Sequence, residues 1–274
     1  VLLIGRRGSG KSCLMKDICY HLHRTGKIDL AIAMSPTEIA NNSLSNFVLP
    51  SLIYTDWRED VCEKLVEVQR KQCRMGRAKN VVLILDDIAF NGRKVFNSRV
   101  LRNLYMNGRH YKITTILLIQ YAMDLPPCIR NNIDVTIAHR DPIHKSRQIL
   151  YENYFGMFSS YTDFNRTMNA LTEDWGVIVC QNNCSKQSNL ITDSVFHYKA
   201  SLRHPPFKMC SPVYMRLHSR YFRPDLEFSD ARTKITSSVE VPLRDRVIVK
   251  ASSDGRTAMT GRTRGTTALI PWRR

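Results

Sequence analysis

The chain begins with a short segment that matches a phosphate-binding loop. Residues 5–12 read Gly-Arg-Arg-Gly-Ser-Gly-Lys-Ser and fit the pattern G-x-x-x-x-G-K-[ST] at every fixed position. An apolar run, Val1–Ile4, precedes the loop and predicts a buried strand, and an amphipathic stretch from Lys11 to about Thr25 predicts a helix. A strand, a glycine-rich loop and a helix N-terminus together favour an anion, because backbone N–H groups and the helix dipole point at it. The sequence therefore predicts a nucleoside triphosphate site.

Each residue of this loop has an expected role. The three glycines let the backbone approach the phosphates without an intervening Cβ. Lys11 is expected to reach the β- and γ-phosphates, and the hydroxyl of Ser12 is expected to bind Mg²⁺. The predicted nucleotide-binding residues are Gly5, Arg6, Arg7, Gly8, Ser9, Gly10, Lys11 and Ser12.

Strand and helix patterns alternate along the chain after the loop. The predicted strands are 29–34, 81–85, 113–119, 135–138 and 175–180, and the predicted helices are 57–76, 94–108 and 143–156. The strands at 81–85 and 113–119 are almost continuously apolar, as strands covered on both faces of a parallel sheet are. The expected fold class is therefore α/β, with a central parallel sheet and helices on both faces.

Polar residues end two of these apolar strands. Asp86 is expected to hold Mg²⁺ through water beside Ser12, and Asp87 to polarise the attacking water. Aspartate is shorter than the glutamate more usual there, and Asp87 has the alternative role of capping the next turn. Gln120 would lie beside the γ-phosphate if its strand lies between the strands of the loop and of Asp86. The alternative is an ordinary surface glutamine.

Two arginines are candidates for a finger that stabilises charge on the transferred phosphoryl group in a neighbouring subunit. Arg109 lies just before the strand that ends at Gln120, and Arg130 follows a Pro-Pro turn. Either has the alternative role of a surface ion-pair residue in so basic a chain.

The formal net charge of +17 favours an acidic partner such as nucleic acid, and the alternative is a basic soluble enzyme. Residues 199–274 contain sixteen basic and six acidic residues and so hold +10 of that charge. We therefore expect an NTPase domain over 1–198 and a basic, partly disordered extension over 199–274. The eight cysteines lack a complete zinc pattern and are interpreted as structural thiols.

No apolar run is long enough to predict a membrane span. The absence of an initial Met suggests that the sequence is a fragment.

These segments together resemble a known family. The set comprises Gly5–Ser12, Ile84–Asp87, Gly108–Tyr111, Gln120 and Leu125–Asp134, within roughly residues 1–180. It resembles the poxvirus-type genome-packaging ATPases of the nucleocytoplasmic large DNA viruses, which belong to the FtsK–HerA superfamily of ring-forming DNA pumps. The first strand is truncated relative to the family, and residues 199–274 match no motif of it.

The resemblance implies an additional strand between the two nucleotide motifs, a homo-oligomeric ring, and ATP-driven movement of double-stranded DNA into a capsid. It implies ATP and Mg²⁺ as cofactors and a capsid or portal component as partner, in the virion or at the assembly site in the host cytoplasm. By position, Arg109 matches the finger that acts in trans.

Two other function classes remain open. One is a helicase or a conjugation-type DNA-coupling ATPase on the same scaffold, although no further helicase motif is present. The other is a regulatory NTPase that binds a protein partner. Guanine-specific switches usually carry an Asn-Lys-x-Asp segment, which this sequence lacks.

Overall fold

The structure is a computed structural model, and it describes residues 1–182, 191–223, 248–251, 257–263 and 266–270. The chain divides into two compact units, Val1–Tyr221 and Phe222–Arg274. In the first unit the strands are β1 Leu2–Ile4, β2 Leu30–Met34, β3 Ile53–Tyr54, β4 Val81–Asp86, β5 Ile113–Ile119, β6 Val135–Ala138, β7 Gly176–Gln181 and β8 Val195–Lys199. Its helices are α1 Lys11–Arg24, α2 Glu38–Asn41, α3 Glu59–Arg74, α4 Arg99–Asn107, α5 Pro127–Arg130, α6 His144–Tyr154, α7 Tyr161–Leu171 and α8 Pro212–Tyr221.

One sheet of eight strands organises the described part of the first unit, in the order β3-β2-β4-β5-β1-β6-β7-β8. The strands from β3 to β6 are parallel, whereas β7 pairs antiparallel with both β6 and β8. The α/β fold with a largely parallel sheet is confirmed.

Strand β5 lies between the strand of the phosphate loop and the strand of Asp86. Leu3 of β1 pairs with Leu118 of β5, and Leu83 of β4 pairs with Thr115 of β5. The additional strand between the two nucleotide motifs is therefore confirmed. Because the three strands are parallel, their carboxyl ends share one edge of the sheet, where ligands of open α/β sheets bind.

Apolar side chains cover both faces of this sheet, as expected for buried parallel strands. Alternate strand residues face opposite layers because the side-chain period of a strand is two residues. One layer contains Leu2, Leu83 and Leu117 with Val66 of α3, Leu101 of α4, Leu150 of α6 and Phe164 of α7. The other contains Leu3, Ile84 and Leu118 with Leu14 of α1, Phe47 and Phe207. Helices on both faces are thus confirmed.

Several elements differ from the sequence prediction. The helix predicted over 94–108 begins only at Arg99, because the hydroxyl of Ser98 caps it by accepting from the backbone N–H groups of Val100 and Leu101. Local sequence patterns do not predict α2, α5, α7, α8, β3 or β8. Cys13 and Cys128 are exposed, so burial does not explain them, and Cys184 lies outside the described residues. No helix in the described residues is long and apolar enough to cross a membrane.

The segment after β8 belongs to the first unit as far as Tyr221. The backbone N–H of Ala31 donates to the Met209 carbonyl at 2.9 Å, and that of Met209 donates to the Phe47 carbonyl at 2.8 Å. The second unit contains β9 Ile248–Ala251, β10 Thr257–Thr263 and β11 Thr266–Ile270, an antiparallel sheet. The sequence predicts partial disorder in this region. Within it, residues 248–251, 257–263 and 266–270 form strands, and the rest of 224–274 lies outside the described residues.

Candidate nucleotide-binding site

The phosphate loop connects β1 to α1 at the carboxyl edge of the sheet. Gly8 and Gly10 have φ angles of 76° and 91°, a region that favours residues without a Cβ. The start of the loop is joined to the sheet by a hydrogen bond from the Gly5 N–H to the Ile119 carbonyl of β5 at 3.2 Å. The loop therefore begins at the end of the sheet, and α1 begins at the lysine of the loop, Lys11.

Lys11 reaches back across its own loop. Its Nζ donates to the carbonyl oxygens of Gly5 at 2.6 Å and Arg6 at 2.9 Å. Burial lowers the pKa of the ammonium group, and the nearby carboxylates of Asp86 and Asp87 act in the opposite direction. The lysine charge is thus held at the mouth of the loop, where an anionic phosphate would compensate it.

Asp86 ends β4 and is 7% exposed. The hydroxyl of Ser35 donates to its Oδ2 at 3.2 Å. Burial raises the pKa of the carboxyl group, with Asp87 adding to this effect and the Ser35 bond and Lys11 opposing it. Asp86 and Ser12 line the same cleft. A largely buried carboxylate and a hydroxyl are oxygen ligands of the kind that Mg²⁺ prefers, so the residues fit the ion.

Asp87 and Gln120 meet at the ends of the adjacent strands β4 and β5. Nε2 of Gln120 donates to Oδ2 of Asp87 at 2.7 Å. Asp87 has a φ angle of 53°, a left-handed conformation that aspartate tolerates better than most residues and that turns the chain away from β4. The strand that ends at Gln120 does lie between the strands of the loop and of Asp86, because β5 lies between β1 and β4.

A cleft of about 720 Å³ brings most of these residues together. Its lining from the predicted set comprises Arg7, Gly8, Gly10, Lys11, Ser12, Asp86, Asp87 and Gln120. Gly5 and Arg6 line a neighbouring cavity of about 520 Å³, and Ser9 lines another of about 240 Å³. Trp175, which the sequence analysis did not identify, also lines the cleft and lies 69% exposed.

His139 is a second residue that the sequence analysis missed. It follows β6, and its backbone N–H donates to the Ile4 carbonyl at 2.9 Å, which places it under the loop. The residue is 5% exposed, and its Nε2 has no hydrogen-bond partner among the described residues. Burial, with a smaller contribution from Lys11, lowers its pKa to about 4, so the ring is neutral near pH 7. Its position directly after the apolar strand 135–138 is the sequence pattern that could have identified it as a candidate site residue.

Neither finger candidate lines the cleft of its own chain. Arg109 lies in the turn Gly108–Tyr111, which precedes β5, and therefore at the edge of the sheet opposite the loop. There it lines a cavity of about 320 Å³ together with Val1 and Lys112. Arg130 ends α5 and donates through Nη1 to the sulfur of Met123 at 3.6 Å.

Solved structures share this fold. The genome packaging NTPase B204 of Sulfolobus turreted icosahedral virus 2, in complex with ATP-gammaS, matches with a TM-score of 0.51 and 20% identity over 73% of this chain and 95% of that one. The monomer form of the pCW3 conjugation coupling protein TcpA with ATPgS matches with a TM-score of 0.50 and 16% identity, over 73% of this chain and 59% of that one. At such identities the likeness shows the fold alone.

Sequence relatives are viral proteins without an assigned role. Uncharacterized protein 088R of Invertebrate iridescent virus 3 is 29% identical over 83% of this chain and 86% of its own length. Uncharacterized protein 075L of Invertebrate iridescent virus 6 is 31% identical over 69% of this chain and 72% of its own length. The family model described as Poxvirus A32 protein matches residues 1–201, which is most of the first unit. The chain therefore belongs to the Poxvirus A32 protein family.

Proposed function

We propose that this chain is an ATPase that moves double-stranded viral DNA into a capsid. The observation that carries the proposal is the cleft in which the phosphate loop, the buried Asp86 and the Asp87–Gln120 pair meet. The likeness in fold to a protein described as a genome packaging NTPase and solved with ATP-gammaS supports it. Membership of the Poxvirus A32 protein family supports it as well.

In this proposal the chain's own residues bind and orient the triphosphate. Backbone N–H groups of the loop cradle the β-phosphate, and Lys11 exchanges its two loop carbonyls for β- and γ-phosphate oxygens. Asp87 accepts a proton from the attacking water. Because Gln120 donates to Oδ2 of Asp87, Oδ1 remains as the acceptor for that water. Gln120, beside the γ-phosphate, then senses the loss of that phosphate after hydrolysis.

Ser12 and Asp86 would hold Mg²⁺ in this cleft. The ion, when bound, neutralises charge on the β- and γ-phosphate oxygens. The support is chemical: the Ser12 hydroxyl and the Asp86 carboxylate line one cleft, and burial disfavours the charged carboxylate unless a cation compensates it.

The proposed partners are duplex DNA, further copies of this chain in a ring, and a capsid or portal component at the viral assembly site. The net charge of +17 supports binding to the DNA backbone. The ring is supported by Arg109, because a finger at the edge opposite its own loop can serve only a neighbouring nucleotide. The NTPase domain is proposed to comprise residues 1–198 and the basic extension residues 199–274.

The test compares ATP hydrolysis by the full chain alone, with blunt duplex DNA and with single-stranded DNA of the same length. We expect duplex DNA to stimulate turnover more than single strands do, and ATP to drive displacement of a third strand from a triplex on that duplex. Lys11→Ala should abolish both activities, whereas Lys16→Ala, on the same helix but outside the cleft, should retain them. An ATPase that ignores duplex DNA would contradict the proposal.

A helicase or conjugation-type coupling ATPase is the second candidate, and the fold of TcpA favours it. The same experiment separates the two. Stronger stimulation by single strands, or separation of duplex strands without displacement of the triplex strand, would support the second candidate.

A further inference from the structure

A cavity of about 240 Å³ opens directly beside the phosphate cleft. Its walls are mainly apolar and include Leu14, Val177, Ala200 and Leu202. It shares Gly10, Cys13 and Trp175 with the cleft, so the two spaces adjoin at the first turn of α1. Drug-sized ligands fill roughly 300–1,000 Å³, so this space fits one planar ring system rather than a whole nucleotide.

Trp175 forms the wall between the two spaces. Its Cε3 lies 3.7 Å from the position that a Cβ on Gly10 would occupy, so the indole ring lies against the phosphate loop. The side chain is nevertheless 69% exposed. A large aromatic residue that is exposed at the mouth of an apolar cavity has a ring face available for a ligand.

The backbone holds this tryptophan in an unusual conformation. Trp175 and Asp174 have φ angles of 66° and 49°, in the left-handed region that bulky residues seldom adopt. Two contacts accompany the turn: Asp174 forms an ion pair with Lys199 of β8, and Gly176 packs so closely that a Cβ there would lie 2.3 Å from the Leu171 carbonyl oxygen. Backbone strain of this kind persists where the surrounding structure enforces it, and it concentrates at ligand sites.

We infer that this cavity binds the base of the nucleoside triphosphate, with the base stacked on the indole ring of Trp175 and packed against Leu202. The inference rests on the proposed function, because the triphosphate must occupy the adjacent cleft. The 720 Å³ cleft holds the phosphates, and the shared residues Gly10 and Cys13 place the ribose where the two spaces join.

The chemistry of the cavity favours recognition of a ring face. Its described walls offer few polar groups, and of these Lys199 is already paired with Asp174. Every nucleobase presents a π-face, and stacking on an aromatic side chain is worth about 1–3 kcal/mol per base, or ~5- to 150-fold in affinity. The ligand class is therefore an aromatic base attached to a triphosphate.

The test compares the affinities of ATP and inorganic tripolyphosphate, both with Mg²⁺, by titration calorimetry on the full chain. In the wild type, ATP should bind at least ~5-fold more tightly than tripolyphosphate. Trp175→Ala and Leu202→Ala should weaken ATP binding while leaving tripolyphosphate binding unchanged. Trp175→Phe should retain most of the ATP affinity. The matched control is Leu217→Ala, an exposed leucine on α8 that does not line the cavity.

The outcomes separate this inference from the proposed function. Equal wild-type affinities for ATP and tripolyphosphate would overturn the base site and leave a triphosphate-binding motor intact. Equal losses for both ligands in Trp175→Ala would also overturn it, because Trp175 would then shape only the loop. Unchanged ATP affinity in both variants would overturn it as well. A wild-type protein that binds neither ligand would refute the proposed function itself.

Discussion

The side chain of Gln120 donates through Nε2 to Oδ2 of Asp87 at 2.7 Å. The contact joins the carboxyl ends of β5 and β4, two strands that neighbour each other in the sheet although 33 positions separate the two residues in the sequence. One carboxylate oxygen is thereby occupied by an amide donor. The other is left to accept a hydrogen bond from water in the cleft.

Asp87→Asn should reduce turnover strongly and leave ATP affinity nearly unchanged. A proton acceptor in hydrogen-bond reach of the attacking water typically contributes ~10²- to 10⁴-fold, and asparagine keeps the shape without the basicity. Steady-state hydrolysis and equilibrium ATP binding measure the two quantities. Asp56→Asn, an exposed acid outside the cleft, is the control. Equal turnover in Asp87→Asn and wild type would remove Asp87 from the mechanism.

Gln120→Ala tests whether the contact itself matters. If Gln120 acts by orienting Asp87, its removal lowers kcat in the wild type but has little further effect in the Asp87→Asn background, because residues that act as a unit are not additive. Full additivity of the two losses would instead assign Gln120 a separate role at the γ-phosphate.

Gly5→Ala should damage the phosphate loop by overpacking. A Cβ at Gly5 would lie 2.5 Å from Oγ of Ser9 and 2.9 Å from Cβ of His139. Such overpacking costs about 1–3 kcal/mol, and the loop would have to shift to relieve it. We expect a lower melting temperature and at least tenfold weaker ATP binding. Gly156→Ala, where a new Cβ meets open space, should change neither quantity.

The sequence predicted the residues whose role depends on local pattern. The spacing of its glycines, lysine and serine is enough to predict the phosphate loop. A polar residue at the end of an apolar strand is enough to predict Asp86 and Gln120 as site residues. The position of β5 between β1 and β4 came from the resemblance to packaging ATPases, because no local pattern specifies strand order. That order decides whether Gln120 reaches Asp87.

Trp175 and His139 show what sequence reasoning could not predict. Trp175 was assigned to the start of a strand, whereas its φ of 66° puts it in a turn that exposes the ring beside the loop. Asp174 in this turn pairs with Lys199, a residue on the antiparallel strand β8, which local sequence patterns do not predict. His139 acquires its burial from the loop above it and from β1. Both sites are products of tertiary contacts.

His139 should make stability depend on pH in the acid range. Its pKa is lowered from 6.5 to about 4 in the folded protein, mainly by burial, so the unfolded chain binds the proton more readily. The resulting stability is present above pH 6.5 and is lost as the pH falls towards 4. His139→Asn should reduce the slope of unfolding free energy against pH by up to ~1.4 kcal/mol per pH unit in this window.

Chemical denaturation at several pH values between 7 and 4 measures that slope. His110→Asn is the control, because this histidine is exposed and lies away from the loop. Parallel curves for wild type and His139→Asn would show that the proton binds elsewhere.

Arg109→Ala should bind ATP normally and hydrolyse it poorly, if this arginine serves the nucleotide of a neighbouring subunit. Loss of a finger of this kind typically costs about 10³-fold or more in kcat. Arg109 lies before β5, at the edge of the sheet opposite its own loop, so we expect the loss to arise at the nucleotide site of a neighbouring subunit. Arg102→Ala, on the exposed side of the preceding helix α4, should remain active.

Mixing two inactive variants, Asp87→Asn and Arg109→Ala, tests the assignment in trans. In a mixed ring, some interfaces pair an intact Asp87 on one subunit with an intact Arg109 on the next, and these interfaces should recover ATP hydrolysis. If Arg109 acted on its own subunit's nucleotide, every site would carry one lesion and the mixture would stay inactive. If Arg109 were only a surface charge, Arg109→Ala would be active alone. Arg130 would then be the next finger to test by the same mixing experiment.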